Sequence, residues 1–284
     1  MRRGVVIDKN FLQGASRPDV LALASSNMLV MSGAIFYELL TTDPEARCKC
    51  FSKLPQTENP VVLVDHIGVL LAQEVRTGRP SGKPSGHRHS FRFRFNERLL
   101  ELQYELPEEA MVVLREQTTD VEEDVERLLV LAEQTPGLFP GLLTGSSDEQ
   151  NSARARAEAA ISQLEQVHRF YSAMESTEPT LPHPSIRSQF AKWAHLRWLQ
   201  VLMLFALDLY VRYRGRIQEV LTPKVREKLE HDVHDAQVLT LAILEGSIAT
   251  RERKLSRWWT LLAPGATNHG TAVNQQLDSK EISR

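Results

Sequence analysis

Asp8 closes a short apolar run, Val5-Val6-Ile7, and Asn10 follows two positions later. Far along the chain, Asp235 opens an apolar helical stretch (Val238, Leu239, Ala242, Ile243) that stops at Gly246. A second short apolar run then leads into Thr250-Arg251-Glu252. Acids placed where strands end can meet although they are distant in sequence, because open α/β sheets bind ligands beyond the carboxyl ends of their strands. Several carboxylates in one place are costly unless a cation neutralises them. Hard oxygen donors suit Mg²⁺ or Mn²⁺, and such ions stabilise the charge that develops on a phosphate in flight. Residue types in this pattern point to metal-assisted phosphodiester hydrolysis.

The elements that must position these acids are legible in outline. Val5–Ile7 reads as a buried strand. Pro18 suits the start of a helix over Asp19–Ser25, and Met28–Met31 reads as a second strand. Ser32 looks like the N-cap of a helix through Thr41 or Thr42. Asp43-Pro44-Glu45 looks like the cap and first turn of a further helix. Val61–Val64 is a third strand, followed by a helix from about Asp65 to Arg76. Strands alternating with helices argue for an α/β core with a parallel sheet.

The pattern breaks after Arg76. Gly78, Pro80, Gly82, Pro84 and Gly86 mark a loop. Phe91-Arg92-Phe93-Arg94-Phe95 then alternates strictly, with one aromatic and one basic face, as in a hairpin. From Pro107 the chain reads as helices: Glu108–Glu116 and Thr119–Glu133 split near Thr118, Ala153–Met174, Ile186–Tyr213, and Pro223 to about Gly246 with a break near Asp232. Residues 136–150 read as a loop, Ser247–Thr250 as a short strand and Glu252–Leu262 as a last helix. No internal repeat is found.

At this point the sequence resembles a known family. Val5-Val6-Ile7-Asp8-Lys9-Asn10-Phe11-Leu12 looks like the first strand of a PIN domain. Met28–Met31 and Phe36-Tyr37-Glu38-Leu39-Leu40 resemble its second strand and the helix carrying its second acid. Asp235-Ala236-Gln237, then Leu241-Ala242, Gly246 and Ile248-Ala249-Thr250-Arg251-Glu252, resemble its third-acid helix, fourth strand and Thr-x-Asp motif, with Glu252 in place of the usual Asp. The resemblance covers about residues 4–75 and 229–264. It implies an α/β fold in which a PIN-like parallel sheet flanked by helices is interrupted by a mostly α-helical insertion. The expected division is a discontinuous nuclease-like domain (1–77 and 229–264), the insertion (78–228) and a flexible tail (265–284).

The resemblance also implies a Mg²⁺- or Mn²⁺-dependent ribonuclease, with a bacterial toxin or defence nuclease as one such role. By matching positions, Asp8, Glu38, Asp235 and Glu252 are the catalytic and metal-ligating acids. Thr250 is the hydroxyl that orients the last acid or the scissile phosphate. Asp232, on the same helical face as Asp235, is its rival as ligand. RNA is the expected partner, with a homodimer or a regulatory protein beside it. The alternative is a catalytically degenerate PIN-like scaffold that binds RNA or a protein through the insertion.

Composition fits these readings. Of 284 residues 42% are hydrophobic and 25% charged, which excludes a chain dominated by disorder. The net charge of −2 excludes a uniformly basic nucleic-acid-coating protein. It conceals a segment 76–98 with charge +6 beside a segment 108–133 with charge −7. The basic stretch reads either as a phosphate-contacting surface with stacking phenylalanines or as a hairpin paired with the acidic helix. Cys48 and Cys50, one residue apart, make neither a disulfide scaffold nor a zinc set, so a reducing cytoplasm is the expected compartment. The apolar run before Asp8 is far shorter than a signal-peptide core. Val201–Val211, interrupted by Asp208, reads as a buried helix, and no membrane partner is expected. His231 and His234 read as surface histidines at a charged helix start.

Overall fold

A computed structural model describes residues 2–87, 97–177 and 183–270. The expected hairpin at Phe91–Phe95 and the tail beyond Gly270 lie outside the described residues. The chain opens with β1 (Arg3–Ile7), α1 (Lys9–Gly14), α2 (Arg17–Ser26), β2 (Asn27–Ser32), α3 (Gly33–Thr41), α4 (Pro44–Phe51), β3 (Val62–Val64) and α5 (Ile67–Thr77). It continues with α6 (Glu108–Leu138), α7 (Ser147–Ser162), α8 (Leu164–Thr177), α9 (Ala194–Arg212), α10 (Pro223–Glu245), β4 (Ile248–Ala249) and α11 (Arg253–Leu262). The architecture is α/β, as expected, with one parallel sheet ordered β3-β2-β1-β4.

Two compact units divide the chain. The first comprises Met1–Leu70, Gly82–Leu114 and Leu241–Arg284 and contains the whole sheet. The second comprises Leu71–Ser81 and Arg115–Thr240 and is helical. The passages between units therefore fall within α5, in the loop after it at Ser81–Gly82, early in α6 and within α10.

In the first unit, local chemistry explains the element starts. Val5, Val6 and Ile7 are wholly buried, as a parallel strand covered on both faces must be. Ser16 and Asp19 form a capping box for α2, with Pro18 in its first turn. The Ser32 hydroxyl accepts from the Ile35 N–H at 3.2 Å to cap α3. Asp43 Oδ1 accepts from the Glu45 and Ala46 N–H groups to cap α4. Gly246, at φ +91°, ends α10 and turns the chain into β4.

Helix α1 has no counterpart in the sequence reading. It is only six residues long, too short to show a hydrophobic period. Its carboxyl end is held by the buried Lys53, whose Nζ donates to the Leu12 and Gln13 carbonyls.

The second unit departs from expectation at several joints, and the helices expected from Ala153 and Ile186 begin instead at Ser147 and Ala194. Helix α6 runs unbroken through Thr118 and includes Pro136 near its end. A β-branched pair costs a helix only tenths of a kcal/mol per residue, and a proline in the last turn forfeits little of the hydrogen-bond ladder. Helix α10 likewise passes Asp232 without a break. Conversely, the single helix expected over Ala153–Met174 is two, parted at Gln163.

That parting is supported from a distance. The buried Gln200 on α9 donates through Nε2 to the Ile161 carbonyl at 2.8 Å and the Ser162 carbonyl at 3.2 Å, which α7 leaves unpaired as it ends. Replacing Gln200 with leucine strands those buried acceptors. The expected cost is about 2–3 kcal/mol, read as a lower urea midpoint and faster amide exchange around residues 160–167.

Helix α9 is long and apolar enough to cross a membrane by length and composition alone, and 67% of its apolar window is buried. Its base packs into a cluster of Tyr171, Ile186, Trp193 and Leu196. A core helix of this kind accounts for the long apolar run.

Candidate functional site

From β1 the chain steps sideways to β2 and on to β3, whereas β4 adds to the other flank of β1. The strand order therefore reverses between β1 and β4. At such a switch point adjacent loops diverge and leave a crevice at the carboxyl ends of the strands. Asp8 follows the last residue of β1, and Thr250 follows the last residue of β4. The strands bring them together across 242 positions of sequence: Thr250 Oγ1 donates to Asp8 Oδ2 at 2.7 Å. The register is locked by Val6 N–H to Ser247 O and Asp8 N–H to Ala249 O, both 3.1 Å.

Asp8 is 3% exposed and Thr250 is wholly buried. Burial is the largest influence on Asp8 and raises its pKa to about 6. The Thr250 hydroxyl opposes that rise, and the carboxylates of Glu252 and Glu38 reinforce it. Glu252 is the N-cap residue of α11, and its N–H donates to Thr250 Oγ1 at 3.1 Å. One threonine hydroxyl thus ties the side chain of Asp8 to the backbone of Glu252.

Glu38 stands on α3 beside Leu39 and Leu40, which are core residues. Its Oε1 pairs with Lys9 Nζ at 2.9 Å, and both side chains are more than four-fifths buried. Lys9 was not among the residues singled out from the sequence. Its position directly after Asp8 was the only available signal.

Within the first unit the set is therefore Asp8, Glu38, Thr250 and Glu252. Asp235 falls in the second unit's stretch of α10, where it is half-buried. Its rival Asp232 is committed to an ion network: Arg212 Nη1 reaches Asp232 Oδ2 at 2.9 Å, and Arg154 Nη2 reaches Asp208 Oδ1 at 2.9 Å. Arg212 also pairs with Asp208. Of the two histidines read as surface groups, His231 is exposed but His234 is buried, because α10 continues through this point and turns that face inward.

The donors Asp8, Glu38 and Glu252 suit a hard divalent cation chemically, since all are carboxylates, and burial, reinforced by the other two, raises the pKa of Asp8. In position they are looser. Among the described residues no group of three or more His, Cys, Asp or Glu side chains is gathered for a metal ion, and Lys9 supplies the positive charge beside Glu38. A separate cleft of about 440 Å³ opens at the amino ends of β2 and β3, lined by Arg2, Asn27, Met28, Pro60 and Val62. It lies at the opposite end of the strands from Asp8 and takes no part in this chemistry.

Comparison of the chain with protein-family models, with curated proteins and with solved structures finds no match.

Proposed function

We propose that this protein is a Mg²⁺- or Mn²⁺-dependent phosphodiesterase of PIN-like type, acting on RNA. The observation that carries the reading is the hydrogen-bonded Asp8–Thr250 pair at the sheet's switch point, with the Glu252 and Glu38 carboxylates acting electrostatically on Asp8. Asp8, Glu252 and Glu38 would hold the cation. Bound there, it would neutralise the carboxylates and offset the charge that builds on the attacking water and the phosphate. Thr250 holds the Asp8 carboxylate and the start of α11, where Glu252 stands, through one hydroxyl. The sequence resemblance also offers Asp235, which belongs to the second unit. A homodimer or a regulatory protein on the helical unit remains part of the same proposal.

Titrating Mn²⁺ into the parent chain in a calorimeter is expected to give saturable binding. Glu252→Gln should weaken it by about 10-fold or more, as loss of a charged ligand does. Single-stranded RNA should be cut only when Mg²⁺ or Mn²⁺ is present. Cleavage that persists undiminished in Asp8→Asn would sink the mechanism.

A second reading is favoured by the Lys9–Glu38 pair. An internal ammonium that neutralises one carboxylate suits a scaffold that has given up its metal and binds RNA or a protein without cutting. That reading expects no Mn²⁺ heat and undiminished RNA or partner binding in chelator.

A further inference from the structure

The segment after α11 was expected to be loose, yet its first residues are fastened to the sheet. Ile248 bridges to Asn268 in parallel fashion, so the chain runs alongside the outer edge of β4. Trp259 Nε1 donates to the Ala266 carbonyl at 3.3 Å. His269 Nε2 lies 3.2 Å from the Ser247 hydroxyl. A Cβ placed on Gly270 would overlap the backbone carbonyl of Thr250, so the two backbones touch and glycine is the residue that fits.

Asn268 sits at the centre of these contacts. Its Oδ1 accepts from the Thr250 N–H at 3.3 Å and from the Gly270 N–H at 2.9 Å. Its Nδ2 donates to Ser256 Oγ at 3.0 Å on α11. One amide side chain therefore joins the end of β4, the chain beyond α11 and α11 itself. It does so at the residue whose hydroxyl connects Asp8 with the Glu252 backbone.

We propose that Asn268 is a positioning residue of the Asp8–Thr250–Glu252 site, setting the backbone of Thr250 and, through its hydroxyl, the separation of the two carboxylates that face a divalent ion. This rests on the metal-dependent reading above. The β1–β4 ladder holds the Ala249–Thr250 peptide at its carbonyl, through the Asp8 N–H, and Asn268 holds the same peptide at its other side, the Thr250 N–H. Gripped on both sides, that peptide plane sets where the Thr250 side chain starts. Groups that orient metal ligands without touching the metal typically matter by about 10–100-fold in affinity or activity.

Asn268→Ala is expected to raise the Mn²⁺ dissociation constant about 10-fold and to lower kcat on single-stranded RNA by a similar factor. KM should change little, because the substrate surface is untouched. Amide exchange at Thr250 and Gly270 should quicken. Asn268→Asp keeps the oxygen that accepts both N–H groups, and Ser256 can donate where it formerly accepted, so it should recover most of the lost affinity. A parent that binds Mn²⁺ with an Asn268→Ala chain that binds it equally well overturns this inference alone. A parent without Mn²⁺ affinity overturns both it and the metal-dependent reading. Equal losses in the Ala and Asp variants, tracking a shared fall in melting temperature, would reduce Asn268 to a fold-stabilising residue and also overturn it.

Discussion

Replacing Asp8 with asparagine is expected to make the folded chain more stable at pH 7 while removing its affinity for divalent cations. The fold raises the Asp8 pKa from 3.8 to about 6, mainly by burial. A carboxyl with a raised pKa is favoured in its protonated form by the native state. Its contribution is therefore fully present below about pH 4, where folded and unfolded chains are both protonated, and is lost as pH rises through 6. Two pKa units correspond to about 3 kcal/mol. Asparagine keeps the acceptor for the Thr250 hydroxyl but carries no charge, so that cost disappears. The gain should be about 1–3 kcal/mol at pH 7, with the buried amide hydrogens setting the lower figure, and should vanish by pH 4. Differential scanning calorimetry at the two pH values checks it. In the parent, Mn²⁺ should raise stability progressively with its concentration by binding only the folded state, and in Asp8→Asn it should not. An Asn variant that is less stable at pH 7 would mean that Asp8 is held by structural partners rather than strained for a ligand.

The largest purely structural effect is expected at Glu74. Its carboxylate is wholly buried in the second unit. One oxygen accepts from the Ser81 N–H and hydroxyl and from the Ala194 N–H, at 2.7–2.8 Å. The other accepts from the His195 N–H at 3.0 Å and from Nδ1 of its ring at 2.7 Å. A buried charge is thus spent on capping α9 and on holding the turn after α5. Burial alone would raise the Glu74 pKa, but the donors from His195, Ser81 and Ala194 outweigh it and leave the pKa lowered. Glu74→Ala leaves several buried donors without an acceptor, at an expected cost of about 3–5 kcal/mol. The lowered pKa makes stability present above about pH 4.5 and lost as acid titrates the carboxylate. The acid limb of the parent's pH–stability curve should therefore flatten in Glu74→Gln. Urea denaturation across pH 2–7 reads both effects, and an alanine variant within 1 kcal/mol of the parent would contradict this account of α9.

Neither Glu74 nor Asn268 announced itself in the sequence, and the reason is physical. Caps such as Ser32 and Asp43 were legible because donor and acceptor lie within three residues of each other. The strands were legible because burial on both faces leaves continuous apolar runs. Asp8 was legible because an acid closes such a run. Glu74 meets Ala194 across 120 positions, and Gln200 ends α7 across 39. No local pattern encodes those meetings, so the parting of α7 from α8 was read as one helix. Asn268 fell within a stretch whose polar composition suggested a tail. Thr250 was singled out by resemblance, and its bond to Asp8 needed the sheet register to be known. Lys9 went unremarked because a lysine after a strand-ending acid is ordinary until Glu38 is placed beside it.

The pairing of β1 with β4 also has a consequence in time. During synthesis β1 can pair with β2 as soon as residue 32 is made, but its other edge has no partner until Ile248 and Ala249 emerge. At elongation rates of about 5–20 residues per second that interval is roughly 11–43 s. A strand edge whose last three residues are all β-branched and apolar, left open so long, is a site for mispairing between nascent chains. The expected signature is a chain whose yield depends on translation speed and on chaperones that shield early strands, even though the finished fold leaves that edge covered.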